Sequence, residues 1–130
     1  MVPDVEKIVV AFLNADTDVV NALGEHRVFT EIPAGATMPC VRVTLAGGNT
    51  IVRTHLYNVR VGLESWATTK QEAYSNMQVV LTSMENTLDG ALVSQGVVSA
   101  LTHDSGIIWS PDNTTNMPRY LTTINLVVHN

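Results

Sequence analysis

Only one of the 130 residues is cysteine, Cys40, so the chain forms neither an internal disulfide nor a cysteine-based zinc site. That fits a reducing compartment or indifference to redox. Basic residues are scarce: seven Lys and Arg face twelve Asp and Glu, for a net charge of −5. The balance lacks the positive field that dominates phosphate-backbone binding, which argues against a dedicated nucleic-acid binder. Charge of either sign is thin, at 15% of residues against about 25% in a typical soluble domain. No apolar run approaches the ~18–20 residues of a membrane span. The segment MVPDVEKIVVAFL has acids ahead of its apolar stretch and no basic start, so it is not read as a signal peptide. The expectation is a soluble chain made inside the cell.

What is present is a foldable core. Hydrophobic residues make up 45% of the chain and the mean hydropathy is +0.16, which excludes disorder. With so little charge to cover a monomer, much of the surface is expected to lie against other subunits. The length suits one domain, 1–130, without repeats or linkers.

Pro3 fits a first helical turn, and Val5, Ile8, Val9, Phe12 and Leu13 recur at helical spacing, which predicts an amphipathic helix over 3–13. Asp16 or Thr17 caps a short second turn ended by Gly24. Residues 26–32 read as a first strand and Cys40–Leu45 as a second, with Val41, Val43 and Leu45 on one face. Gly47-Gly48 breaks the alternation, and 46–55 is expected to be a loop. Residues 56–66 alternate again, too close for a crossover helix, so the two strands pair antiparallel. Thr68 or Thr69 caps a long helix to Leu88, Glu72 three after Thr69 giving a capping box, with Ala73, Met77, Val80, Leu81 and Met84 in its stripe. A strand near Val97–Leu101, a short one at 107–109, a polar loop at 110–118 and a last strand over 119–129 complete the chain. The last strand is apolar on both faces, so it is expected to be central or contacted from both sides. The class is α+β: a mainly antiparallel sheet packed with an N-terminal helix and one long central helix.

Chemistry is hard to find. His26, His55, His103 and His129 show no metal-ligand spacing. Asp16 and Asp18 lack the second pair that a cation site needs. His103-Asp104-Ser105 has triad residue types, but neighbours in sequence do not make a triad, and no nucleophile elbow is present. Gly47-Gly48 has no Lys-Ser/Thr and no helix after it, so it is no phosphate loop. No catalytic residue, metal site or cofactor is assigned. Trp66, Trp109 and Tyr120, all at strand ends, serve either as core plugs or as interface anchors.

The order of pieces resembles the tail terminator (tail completion) proteins of long-tailed bacteriophages. The resemblance rests on Pro3-Asp4-Val5-Glu6, Pro39-Cys40-Val41-Arg42-Val43 and Gly47-Gly48. It continues with Val59-Arg60-Val61-Gly62-Leu63-Glu64-Ser65-Trp66-Ala67, the helix from Thr69 to Tyr74, then Trp109-Ser110-Pro111-Asp112 and Pro118-Arg119-Tyr120. It covers nearly the whole chain and is most similar to versions from phages of actinobacteria. It implies a non-enzymatic subunit of a homohexameric ring at the head–tail junction of the virion. Such a ring binds the major tail tube protein, stops tube growth and joins the head–tail connector or stopper, and DNA only passes through its lumen. No cofactor and no membrane are involved. The family has no motif to carry over residue by residue, so site residues come from this chain alone. Interface candidates are Gly47, Gly48, Asn49, Arg53, His55, Trp66, Trp109, Asp112, Arg119 and Tyr120, with the loops at 46–55 and 110–118 making axial contacts. Lumen candidates are Glu31, Glu64 and Asp112, since an acidic lumen lets DNA slide. The competing readings are a neighbouring stopper or adaptor, a small α+β enzyme built on His103, Asp104 and Glu64, and a ligand-binding module lined by Trp66 and Trp109.

Overall fold

Helix α1 (Val5–Ala15) begins where Asp4 accepts a hydrogen bond from the Lys7 amide, a side-chain N-cap. Its stripe of Val5, Ile8, Val9 and Leu13 is buried. Asp16 repeats the device for α2 (Thr17–Leu23), accepting from the Val19 amide, and Gly24 ends that helix at φ +86°, in the left-handed region where glycine is least strained. The computed structural model describes residues 4–53, 56–88, 92–93 and 96–129.

The strands are β1 (Val28–Phe29), β2 (Cys40–Arg53), β3 (Leu56–Trp66), β4 (Leu92–Val93), β5 (Gly96–His103), β6 (Ile108–Trp109) and β7 (Arg119–His129). They form one seven-stranded sheet in the order β1-β2-β3-β7-β5-β4, with β6 also on β7. All pairings are antiparallel except β1 with β2. The last strand is central, as its two-sided apolar pattern predicts, between β3 on one side and β5 and β6 on the other.

Two sequence expectations need correction. The first strand is two residues rather than 26–32. Arg27 turns its guanidinium back to the Leu23 carbonyl (2.9 Å), and the Thr30 carbonyl accepts from the Arg42 side chain (3.3 Å) instead of extending a ladder. The stretch 46–53 is strand rather than loop. Leu45–Arg53 runs opposite Leu56–Val61, and register shifts at Leu45/Gly47, Gly47/Thr50 and Ile51/Arg53 absorb the extra residues. Gly47, at φ +132°, makes the first shift possible.

Helix α3 (Lys70–Ser83) starts where Thr69 accepts from the Glu72 amide and widens into a π-helical turn, Met84–Leu88, with Met84 still buried. The core lies between the helices and one face of the sheet: Val41 and Val43, then Val59, Val61 and Leu63, then Ile124, Leu126 and Val128 join Leu13, Leu23, Met77 and Val80. Each such side chain contributes about 1.5–3 kcal/mol on burial. The other face carries Arg42, Asn58, Arg60, Glu64, Trp66, Leu121, Thr123 and Asn125, all at least partly accessible. No described helix covers it.

Candidate assembly interface

Alternation along β2, β3 and β7 places Arg42, Glu64 and Leu121 in one row of the helix-free face, and Cys40, Trp66 and Arg119 in another. Glu64 sits between two guanidinium groups: Arg42 Nη1 is 3.3 Å from Oε2 and Arg119 Nη1 is 3.6 Å from Oε1. Its side chain is 15% exposed, so the carboxylate is neutralised locally rather than offered to solvent. The Arg119 guanidinium also stacks 5.0 Å over the Trp66 ring. Trp66 and Arg42 join Glu31, Ile32 and Met38 around a shallow hollow of about 320 Å³, where the 30–39 loop folds over this end of the sheet. Cys40 is buried there, its Sγ 3.7 Å from Met38 Sδ. Burial raises its pKa to about 11, because the thiolate is poorly solvated there; nearby Arg27 offsets part of the rise.

Further along the same face Arg60 pairs with Asp104 at 3.3 Å, and Asn125 donates to the same carboxylate at 3.4 Å. His103 meets Glu85 of the π-helical turn. His103, Asp104 and Glu64 therefore each have a separate partner and do not converge as a catalytic group.

The opposite face ends in an aromatic corner. Tyr120 is nearly buried and holds the Trp109 ring at 5.1 Å and the Tyr74 ring, edge-on, at 5.2 Å. Lys70 Nζ lies 4.8 Å above the indole. Trp109 and Tyr74 stay 41% and 40% exposed, so the corner is an apolar surface with a cation at its rim. Lys70 and Tyr74 were not singled out in the sequence; their i, i+4 spacing at the start of α3, opposite a strand-end Tyr, is the signal that could have found them.

The 110–118 loop is tied to itself. Asp112 accepts from the Thr115 amide (2.9 Å) and hydroxyl (2.6 Å), and the Asn116 amide donates to its carbonyl (2.8 Å). Those bonds from Thr115 hold the Asp112 carboxyl below the usual carboxylate range. Arg119 clasps the loop's start, donating to the Ser110 carbonyl at 2.8 Å. This loop is thus held in shape by its own hydrogen bonds, not slack chain.

Of the interface candidates, Trp66 and Arg119 meet on one face, and Trp109 and Tyr120 on the other. Asp112 stands on the loop between them, and Gly47 is an exposed bulge on β2. Gly48, Asn49 and Arg53 are described only as β2 backbone, and His55 lies outside the described residues. Glu31 is exposed beside the hollow. A polar groove of about 590 Å³ between α2 and α3, lined by Asp16, Asp18, Asn21 and Gln78 among others, was not anticipated. Among the described residues no group of three or more His, Cys, Asp or Glu could hold a metal ion, and no helix is long and apolar enough to cross a membrane.

No protein-family model matches the chain, and no curated protein matches it by sequence. Solved structures do match by fold. A chain from the virion of the native gene transfer agent particle superposes with TM-score 0.66 at 16% identity, over 96% of this chain and 94% of that one. The bacteriophage SPP1 gp17 protein matches with TM-score 0.57 at 12% identity, over 94% of this chain and 86% of its own. This chain therefore has an α+β fold found in a gene transfer agent virion and in a bacteriophage protein.

Proposed function

We propose that this chain is a tail terminator: a one-domain subunit of a hexameric ring that caps the finished tail tube, stops tube growth and joins the tail to the head–tail connector. The observation that carries the reading is the likeness to a virion protein over nearly the full length of both chains. Two features of this chain support it. Its charge is low and its aromatic corner of Trp109 and Tyr74 stays exposed, which suits a subunit packed between neighbours. Its self-tied 110–118 loop and the β2–β3 hairpin serve as contacts for tube and connector. The partners are thus further copies of itself, the tube protein and the connector. The work is done by binding, without catalysis or cofactor, in the virion at the head–tail junction. DNA passes through the lumen. Glu31 and Asp112 supply negative charge there, whereas Glu64, held by Arg42 and Arg119, organises the surface around it.

The test is the solution mass of the purified chain, followed by negative-stain imaging with and without tail tubes. Six-fold rings or capped tube ends are the expected result. A monomer that leaves tubes uncapped refutes the reading. Charge at the lumen is tested by neutralising Glu31 and Asp112 together, with slowed DNA ejection expected and unchanged ejection ruling those residues out.

A further inference from the structure

The two lateral edges of the sheet differ in a way that bears on how copies meet. On one side β1 pairs with β2 only at Val41 and Arg42. Helix α1 then finishes this edge with side chains. Asn14 brackets Val28, accepting from its amide (3.2 Å) and donating to its carbonyl (3.1 Å). Glu6 accepts a 2.8 Å hydrogen bond from the Leu45 amide. The Val41 amide on the same edge donates to the Arg27 carbonyl, so Glu6 stands where the next strand's carbonyl would be. Beyond Leu45, no described strand pairs with the outer edge of β2 as far as Arg53.

On the other side, β4 covers β5 only at Gly96 and Val97, which leaves Val98–His103 without an outer partner among the described strands, and β6 continues the same flank. Unpaired edges of this length invite strand addition. The chain directions match. From β2 through β3 and β7 to β5 each step is antiparallel, so β5 runs opposite to β2. A head-to-tail copy in the same orientation therefore brings its β2 antiparallel to β5. A copy set level would drive its β1 into β6, because both lie in the row of Tyr120 and Leu121. The contact is thus staggered, with Leu45 beside β6 and the 51–53 end of β2 beside Thr102 and His103 of β5. Among the described residues Leu45 (45% exposed) and Trp109 (41%) are exposed large apolar side chains, they stand on these two edges, and both point to the helix-bearing side.

We propose that a second copy of this chain adds the outer edge of its β2 to the β5–β6 flank, Leu45 meeting Trp109, and that Glu6 is a displaceable cap on that edge. The contact is heterologous, so repeating it closes a ring or runs on as a filament. The proposal deepens the ring reading and rests on it. Glu6 shields the Leu45 amide in the lone subunit and gives it up when the neighbouring strand arrives, which keeps free subunits apart.

The test uses the full chain, alone and on tail tubes. Ala46→Cys and Ile108→Cys, which an antiparallel Leu45–Trp109 contact sets opposite each other and which leave both of those side chains in place, are combined, the protein is oxidised, and linked peptides are identified by mass spectrometry. A 46–108 link between copies is expected, together with slowed amide exchange over 45–53 and 102–103 on assembly. Rings in negative stain without the link and without that protection overturn the edge contact while leaving the ring reading intact. No rings and no caps overturn both. Glu6→Ala reports on the cap: loss of one competing hydrogen bond tightens self-association roughly three- to tenfold, read by sedimentation equilibrium. An unchanged or weaker association removes Glu6 from the role.

Discussion

Asp16 joins two helices with one carboxylate, and the cost of removing it follows from the geometry. Oδ1 accepts from the Val19 amide at 3.1 Å and caps α2; Oδ2 accepts from the Ser83 hydroxyl of α3 at 2.5 Å. Asp16→Ala loses the cap, about 1 kcal/mol. It also leaves the buried Ser83 hydroxyl without its acceptor, about 1–3 kcal/mol more. The sum is about 2–4 kcal/mol, a large part of the ~5–15 kcal/mol that holds a domain together. Asp16→Asn keeps an equally good cap and can donate to Ser83, so its cost stays within about 1 kcal/mol. Urea unfolding of Asp16→Ala, Ser83→Ala and the double variant measures this. The midpoint should fall at unchanged m-value, with a coupling of about 1–2 kcal/mol between the two sites. An Asp16→Ala cost below about 0.5 kcal/mol, or full additivity with Ser83→Ala, would refute the assignment.

Gly24→Ala places a side chain at φ +86° and is expected to cost about 1 kcal/mol in chemical unfolding, whereas Gly106→Ala, with open space around it, costs little. Cys40, with its pKa raised to about 11 by burial, should resist iodoacetamide at pH 8 until the protein is unfolded. Because its folded pKa lies above its unfolded value, its contribution to stability is full below pH 9 and is lost as pH rises toward 11; rapid native-state alkylation would contradict this. Trp109→Ala should change the thermal midpoint little, since the ring is 41% exposed, yet impair assembly on tail tubes; normal capping by this variant removes the aromatic corner from the interface. Asp112→Ala should speed amide exchange at Thr115, whose amide then loses its acceptor; unchanged exchange would show that the loop is held by its backbone bonds alone.

Local pattern was enough for the elements whose signals are local. Capping by Asp16 and Thr69, the left-handed end at Gly24, the stripe on α1 and the alternation of β3 and β7 all depend on neighbours within a few residues, and each is found where the sequence puts it. The two-sided apolar pattern of 119–129 even carried its central position. The shortness of β1 and the strand character of 46–53 were not legible, because both depend on distant partners: Arg42 claims the Thr30 carbonyl, and β3 pulls a bulged Gly47–Arg53 into register.

The candidate site divides the same way. The sequence singles out Trp66, Trp109 and Tyr120 at strand ends, Arg119 for an interface and Glu64 for a lumen. Only the packed structure decided that Glu64 would be held by two arginines while Trp109 would be left at an exposed corner under Lys70. It also decided that Glu6 would reach the Leu45 amide, 39 residues away, at the edge of the sheet. Periodicity tells a chain which face of each strand to bury. Which edges stay open, and which charges cancel, is set by strand order and register, and those are properties of the assembled sheet.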